Sequence, residues 1–337
     1  MIDRLETSIV IPMFNGARYI LDALRSVAAQ TEAPCEIIVV DDASTDRSSS
    51  IVDAWSRTSK IPLRTIRCAV NSGSPSRPMN QGIADARGEI IVVLDQDDLL
   101  SPTKIERESR VLRENPHIAF AFSCSATTRD PLRKMQSYEV LERLREIGVA
   151  RNGFWEIPGD AMLKLLFEHG CFVMGFPGFS FRRSDWRRKG GVDENLRIAD
   201  HEFLCWLSTQ GPVAYLEDIH YQRRLHDHNL SRDRQLVEAD FVQCVSRYLS
   251  AQQRSISVRQ ADWINTRNAC MGIAYALRQS GRYSEAWNCY QTVCAVWGWR
   301  IDVAICMTKL CAHRELSRLQ HFYSAVASIA RAAYARD

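Results

Sequence analysis

Over its first hundred residues the chain alternates short, unbroken apolar runs with segments whose apolar positions fall three and four apart. In order the strand segments are Thr7–Pro12, Glu36–Val40, Leu63–Cys68 and Glu89–Leu94: the first, second and fourth are apolar runs rich in Ile and Val and read as buried strands, and the third, with Arg64 and Arg67, reads simply as a strand. Between them Ala17–Gln30 (Tyr19, Leu21, Leu24, Val27), Ser48–Ser56 and Met79–Ala86 read as helices, and Asn71–Pro78, with Gly73, Pro75 and Pro78, as a loop. Strands alternating with helices predict a mostly parallel, right-handed, doubly wound α/β sheet flanked by helices, Rossmann-like in plan.

The pattern weakens farther on. A helix is expected from Pro102 to about Glu114 and a strand over Ile118–Ser123, followed by an excursion over Arg129–Pro158 with one helix at Tyr138–Ile147. Phe172–Arg183 reads as a loop feeding a short strand, Asp200–Thr209 as a helix, and Val213–Leu216 and Tyr221–Leu225 as two strands. Beyond Arg232 everything reads helical. There, Ala274-Tyr275 followed by Gly281–Ala286 and Tyr290 has the spacing of one tetratricopeptide-type helix-turn-helix, where a stable array needs about three. The expected divisions are 1–105, 106–232 and an all-α region over 233–337.

The fourth run ends in Asp95-Gln96-Asp97-Asp98. Ligands of open α/β sheets bind beyond the carboxyl ends of the strands. Carboxylates this close repel one another unless a cation lies among them, and Mg²⁺ or Mn²⁺ takes oxygen ligands. The same residues also suit an acidic turn in which Asp98 caps the next helix. Asp41 and Asp42 end the second run and Phe14 follows the first, the two aspartate sites being expected on neighbouring strands; taken singly, Phe14 also suits the core and Asp42 with Ser44 a helix cap. An aromatic face, carboxylates for base and sugar edges and a metal seat for diphosphate together suit a nucleotide. Neither G-x-x-x-x-G-K-[ST] nor G-x-G-x-x-G is present, which disfavours a P-loop NTPase or an NAD enzyme and leaves the diphosphate to a cation and scattered basic groups. Two later clusters add candidates. Asp200-His201-Glu202 opens a helix, with Asp200 either a general base or a plain N-cap. Arg224-Leu225-His226-Asp227-His228-Asn229 follows a strand, with Arg224 and His226 meeting a diphosphate and its metal, or the histidines simply facing solvent.

At 337 residues, 46% hydrophobic and 25% charged, the chain has the composition of an ordinary soluble protein with a sizeable core. A net charge of +3 is too mild to make nucleic acid a partner. The 14 Lys/Arg and 8 Asp/Glu from Arg232 onward put +6 on that segment and −3 on the rest, so the tail is the basic part. Eleven cysteines without a Cys-x-x-Cys pair, no signal peptide ahead of Met1–Arg4 and no membrane-length apolar run read as a reduced, cytoplasmic protein. The basic tail and Trp297-Gly298-Trp299 suit peripheral contact with the inner face of a cell membrane, or else a helical cap or homodimer contact.

In order, Ile11-Pro12-Met13-Phe14-Asn15-Gly16, Val40–Asp46, Asn71-Ser72-Gly73, Asn80–Ile83 with Ala86–Glu89, Leu94–Asp98, Gly191–Glu194, Asp200 and Arg224-Leu225-His226 resemble the family-2 inverting glycosyltransferases of bacterial surface-polysaccharide type, whose nucleotide-binding domain has the GT-A fold. The resemblance covers roughly Thr7 to Arg232. It implies donor contacts from Pro12, Phe14, Asn15, Asp42, Arg77, Asp95, Gln96 and Arg224, Mg²⁺ or Mn²⁺ on Asp97 and His226, and Asp200 as catalytic base. It also implies inverting transfer of a sugar from a nucleotide-sugar donor to a hydroxyl of a glycan or lipid-linked glycan acceptor. Three departures stand out: Met79 in place of a frequent Arg, which shifts the diphosphate contact to Arg77, Ala199 in place of a frequent Glu, and Phe14 in place of the commoner Tyr. A nucleotidyltransferase is disfavoured because Met13–Tyr19 offers only Gly16 and Arg18. A degenerate transferase-like scaffold that binds protein through its helical tail is the alternative outside enzymology.

Overall fold

The computed structural model describes residues 6–196, 199–227, 229, 240–244, 247–248, 264–297 and 302–310, and the chain forms two compact units, 1–240 and 241–337. The first is built on β1 (Thr7–Met13), β2 (Glu36–Asp41), β3 (Leu63–Arg67), β4 (Ile90–Val93), β5 (Leu99–Leu100), β6 (Phe120–Thr127), β7 (Val149–Arg151), β8 (Phe154–Ile157), β9 (Phe179–Arg182) and β10 (Val213–Arg223). They make one sheet in the order β3-β2-β1-β4-β9-β6-β10-β8-β7, with β5 paired to β10. Helices α1 (Ile20–Ala28), α2 (Ser48–Ser56), α3 (Ser76–Asp85), α4 (Lys104–Glu114), α5 (Tyr138–Ile147), α6 (Gly159–His169), α7 (Arg183–Lys189) and α8 (Asp200–Ser208) complete the unit.

β1 shows why its residues are apolar without alternation. On one face Ile9, Ile11 and Met13 join Ile37 and Val39 against Ile20, Leu24 and Val27 of α1. On the other, α3 lies so close that a Cβ on Gly82 would sit 2.5 Å from Val10 Cγ1 and 3.0 Å from Val40 Cγ2. Both faces are therefore dry, and only residues of this size fit.

Several elements differ from the pattern reading. β2 and β4 are not neighbours: β1 lies between them, parallel to both, so the Asp41/Asp42 and Asp95/Asp97 sites are separated by the width of one strand. β9 runs antiparallel between β4 and β6. The two strands expected over 213–225 are one, β10, whose register on β6 shifts around Glu217–Tyr221, where the charged Glu217-Asp218 pair interrupts the apolar pattern. The excursion carries the expected α5 but also the β7–β8 hairpin, and α6 and α7 add helices where none was expected. α3 begins at Ser76, inside the expected loop.

In the second unit, α9 (Ile264–Gln279) and α10 (Tyr283–Trp297) form the expected helix-turn-helix, closed on Ala274, Leu277, Ala286 and Tyr290. No helix among the described residues is long and apolar enough to cross a membrane. His228, Gly298 and Trp299, with the side chain of Trp297, lie outside the described residues.

Behind the acidic turn sits a buried ionic network. The Glu108 carboxylate receives Lys104 Nζ at 2.8 and 2.7 Å, Ser123 Oγ at 2.7 Å and Ser180 Oγ at 2.6 Å, and faces His220 Nδ1 at 3.3 Å. All five residues are buried. Burial alone would raise the Glu108 carboxyl, but Lys104 and His220 hold it below its ordinary value. The network ties α4 to β6, β9 and β10, and the His220 carbonyl accepts the Ser101 N–H at 2.9 Å, anchoring β5. Glu108→Ala leaves Lys104 buried without a counter-ion, a loss of about 3–5 kcal/mol. The expected fall in Tm is roughly 6–20 °C, largely relieved in Lys104→Met/Glu108→Leu; an unchanged melt of Glu108→Ala would contradict this account.

Candidate functional site

β1 and β4 are parallel neighbours, so the chain leaves both at the same edge, and Gln96 fastens the two exits together. Its Oε1 accepts the Phe14 N–H at 3.0 Å and its Nε2 donates to the Phe14 carbonyl at 2.9 Å, copying a pair of ladder bonds. A Cβ on Gly16 would lie 2.2 Å from Gln96 Oε1, so the clasp requires glycine there. Asn15 adopts a left-handed backbone (φ 50°), and its Oδ1 accepts from the backbone of Thr45 at 2.8 Å and Asp46 at 3.3 Å. The side chains of Gln96 and Asn15 are thus engaged in shaping the loop, while Pro12 is buried in β1 opposite Val40. The Phe14 ring is 43% exposed at the mouth.

On the β2 side, Asp42 is buried and only half satisfied. Its Oδ2 accepts from Ser72 N–H at 2.9 Å and Ser72 Oγ at 2.8 Å, whereas Oδ1 has no partner. A buried carboxylate oxygen without a donor is costly unless a ligand supplies one. Arg77 is exposed in the first turn of α3, and its charge is felt at Cys68, so it stands on the Asp42 side of the site.

The acidic turn joins β4 to β5. Asp98 is buried, with Oδ2 accepting the Tyr221 hydroxyl at 2.5 Å and Oδ1 the Arg224 N–H at 2.7 Å. Burial and the charge of Asp97 push its carboxyl up to about 7. Burial, then Asp98 and Asp97, drive Asp95 well above the usual carboxylate range, and Arg223 opposes both shifts. Arg224 donates from Nε to the Asp97 carbonyl at 3.0 Å and from a terminal nitrogen to Asp22 at 3.1 Å, with its guanidinium 5.0 Å from the centre of the Tyr19 ring. Tyr19 also stacks on His226, ring centroids 4.9 Å apart and planes 16° from parallel. His226 Nε2 then meets Asp97 Oδ2 at 2.7 Å.

This donor set fits Mg²⁺ or Mn²⁺. Around an octahedral ion with ligands at 2.0–2.1 Å, neighbouring donors lie about 3 Å apart, close to the Asp97–His226 spacing. A divalent charge there would also relieve the crowding that raises Asp95 and Asp98. Mg²⁺ is ordinarily held by one or two protein carboxylates plus phosphate oxygens rather than by a full protein cage. The described residues contain no cluster of three or more acidic, His or Cys ligands placed to bind an ion by themselves.

Asp200 opens α8 and is buried. Its Oδ1 accepts the His201 N–H at 2.8 Å, and Cys171 Sγ lies 3.6 Å from Oδ2. Burial raises its pKa above the ordinary value, while the bonds from His201 and Cys171 and the charge of Arg223 hold that rise in check. Burial and the Asp200 charge push the Cys171 thiol far up, so it remains a protonated donor. Gly175 lies beside Oδ2, where a Cβ would sit 3.6 Å from that oxygen, and glycine leaves the space open. The charge of Asp200 is felt at Asp95, which places the two carboxylates in one electrostatic field.

Pattern reading missed Tyr19, Arg223, Tyr221 and Cys171. Tyr19 falls on the apolar stripe of a helix and so reads as core, Arg223 is one of two adjacent arginines, and nothing local marks Tyr221 or Cys171. Other parts of the motif set are structural: Asn80 accepts the Val192 N–H at 2.9 Å and donates to the Val192 carbonyl at 2.9 Å, pinning the Gly191–Glu194 turn to α3.

The sequence model of glycosyl transferase family 2 matches residues 8–188, more than half of the chain. The chain belongs to glycosyl transferase family 2. This family-2 chain is 38% identical over 224 residues to an uncharacterised glycosyltransferase of Rickettsia typhi, covering 65% of this chain and 64% of that one. It is 30% identical over 113 residues to the poly(ribitol-phosphate) β-N-acetylglucosaminyltransferase TarS of Staphylococcus aureus, covering 33% of this chain and 19% of TarS. The aligned stretches thus span between about a fifth and two-thirds of these relatives. Among solved structures, residues 1–349 of S. aureus TarS with UDP-GlcNAc superpose with a TM-score of 0.64 at 18% identity, over 86% of this chain and 81% of that one. A Pyrobaculum calidifontis mannosyltransferase with GDP-Man and Mn²⁺ gives 0.57 at 18% identity, over 97% and 87%. These neighbours show that the family-2 domain has the GT-A fold, mostly parallel at its centre, with helices following it.

The Tyr19 stack has a direct readout. Its ring current shifts the carbon-bound ring protons of His226 upfield in the NMR spectrum. Tyr19→Phe is expected to keep that shift and Tyr19→Leu to abolish it; an identical His226 spectrum in Tyr19→Leu would contradict the stacked arrangement.

Proposed function

We propose that this protein is an inverting, divalent-metal-dependent glycosyltransferase that moves a sugar from a nucleotide-sugar donor to a hydroxyl of a glycan acceptor in cell-surface polysaccharide synthesis. The observation that carries the reading is the gathering, at one edge of the sheet, of Asp42 with its unpartnered oxygen, the Asp97–His226 pair and the buried Asp200. The Asp42 Oδ1 suits an N–H of the base, and the exposed Phe14 ring offers that base a face. Asp95 stands on the ribose side. Asp97 and His226 would hold Mg²⁺ or Mn²⁺, which when bound neutralises charge on the departing diphosphate. Arg224, steered by Asp22 and Tyr19, adds fixed positive charge near the phosphates, whereas Arg77 adds its charge on the Asp42 side.

Asp200 does the proton chemistry. Its Oδ1 is occupied by the His201 N–H, while Oδ2, which also faces the Cys171 thiol, has room beside Gly175 for the acceptor hydroxyl. As the acceptor oxygen bonds to the anomeric carbon from the face opposite the nucleoside diphosphate, its proton passes to Asp200 Oδ2, and configuration inverts in one displacement. Burial strengthens this base, and Cys171 and His201 keep it oriented. The names of TarS and of a Bacillus spizizenii poly(ribitol-phosphate) β-glucosyltransferase, 36% identical over 113 residues, support a polymeric, hydroxyl-bearing acceptor.

The test is turnover of UDP-, GDP- and dTDP-sugars by wild type and Asp200→Asn, with the product anomer read by NMR. An α-linked donor is expected to give a β-linked product, and Asp200→Asn to lose about 10²–10⁴-fold in kcat with donor affinity kept. Because the ionised Asp200 is the active form and its pKa is raised, the acid limb of kcat/KM should lie above 3.8. Retention of configuration, or full activity in Asp200→Asn, would overturn the assignment.

A further inference from the structure

The turn that follows β10 is closed by a residue that neither the motif pattern nor the resemblance singles out. Asn229 Oδ1 accepts the His226 N–H at 2.8 Å, and its Nδ2 donates to the Arg224 carbonyl at 3.2 Å. The same Nδ2 lies 3.3 Å from Asp97 Oδ2 and 3.3 Å from His226 Nε2, which are themselves 2.7 Å apart. The amide thus touches both donors of the cation seat and the backbone leading into His226. Its backbone N–H also donates to the His226 carbonyl at 3.3 Å.

Resting on the metal-dependent reading above, the geometry points to Asn229 as the positioning residue of the cation seat: it aims Asp97 Oδ2 and His226 Nε2 at one point and keeps them there when no cation is present. Chemistry separates this role from direct ligation. The hydrogen bonds from Nδ2 to the Arg224 carbonyl and to Asp97 Oδ2 require an N–H, which a carboxylate lacks. If Asn229 instead bound the ion through its oxygen, Asp in its place would keep or tighten the ion. Partners that orient metal ligands typically change metal affinity by about 10–100-fold when removed.

Mn²⁺ binding to the full chain, followed by electron paramagnetic resonance with saturating UDP or, separately, GDP, tests the assignment. Wild type should show bound Mn²⁺ with the nitrogen modulation of a coordinated imidazole. Asn229→Ala should weaken Mn²⁺ about 10-fold or more and lose that nitrogen signature, because His226 is no longer aimed, while its thermal melt stays that of wild type. Asn229→Asp should do no better than Asn229→Ala. Equal affinity and an unchanged nitrogen signal in Asn229→Ala would overturn this inference alone, as would tighter Mn²⁺ in Asn229→Asp. Absence of Mn²⁺ binding in wild type with either nucleotide would overturn the metal-dependent reading and this inference with it.

Discussion

Asp95, Asp97 and Asp98 bring three carboxylates into four residues at the end of a buried strand, and their mutual repulsion is the constraint that the surrounding structure answers. Each has a different environment. Asp98 is turned inward and bound by the Tyr221 hydroxyl and the Arg224 N–H, which makes it a structural pin between the acidic turn and the end of β10. Asp97 meets His226. Asp95 stays within the field of Arg223 and Asp200. The cluster is held rather than relaxed because β5 pairs with β10 immediately after it and the Glu108 network braces both from behind. The result is a concentration of carboxylates fixed in place by the fold.

Much of the first half of the sheet was legible because β1, β2 and β4 are buried on both faces, and such strands leave a run of Ile and Val that ends abruptly in polar residues. The order of those strands was not legible. Asp42 and Asp97 flank β1 because α3 crosses over its face, a contact written only in the glycine at position 82. β9 escaped orientation by pattern because a short strand reads the same in either direction. Its antiparallel course follows from the loop that brings the chain back from α6.

The site itself was legible as motifs but not as contacts. Asp42, Asp97, Asp200 and His226 stand out by residue type and position after strands or at helix starts. Gln96 and Asn15 stand out equally, yet their side chains build the loop that carries Phe14. Tyr19 had the opposite fate: its helical spacing hid a ring that supports both Arg224 and His226 across about two hundred residues of sequence. Long-range stacking leaves no local trace, whereas acids at the end of an apolar run do.

The most direct test of the central claim, that this edge of the sheet is a metal-dependent seat for a nucleotide-sugar, is calorimetric titration of wild type and Asp97→Asn with UDP-, GDP- and dTDP-sugars, with and without Mn²⁺. One donor is expected to bind wild type only with Mn²⁺, and Asp97→Asn to weaken that binding by roughly tenfold or more. Binding indifferent to both Mn²⁺ and Asp97, or no binding of any donor, would contradict it.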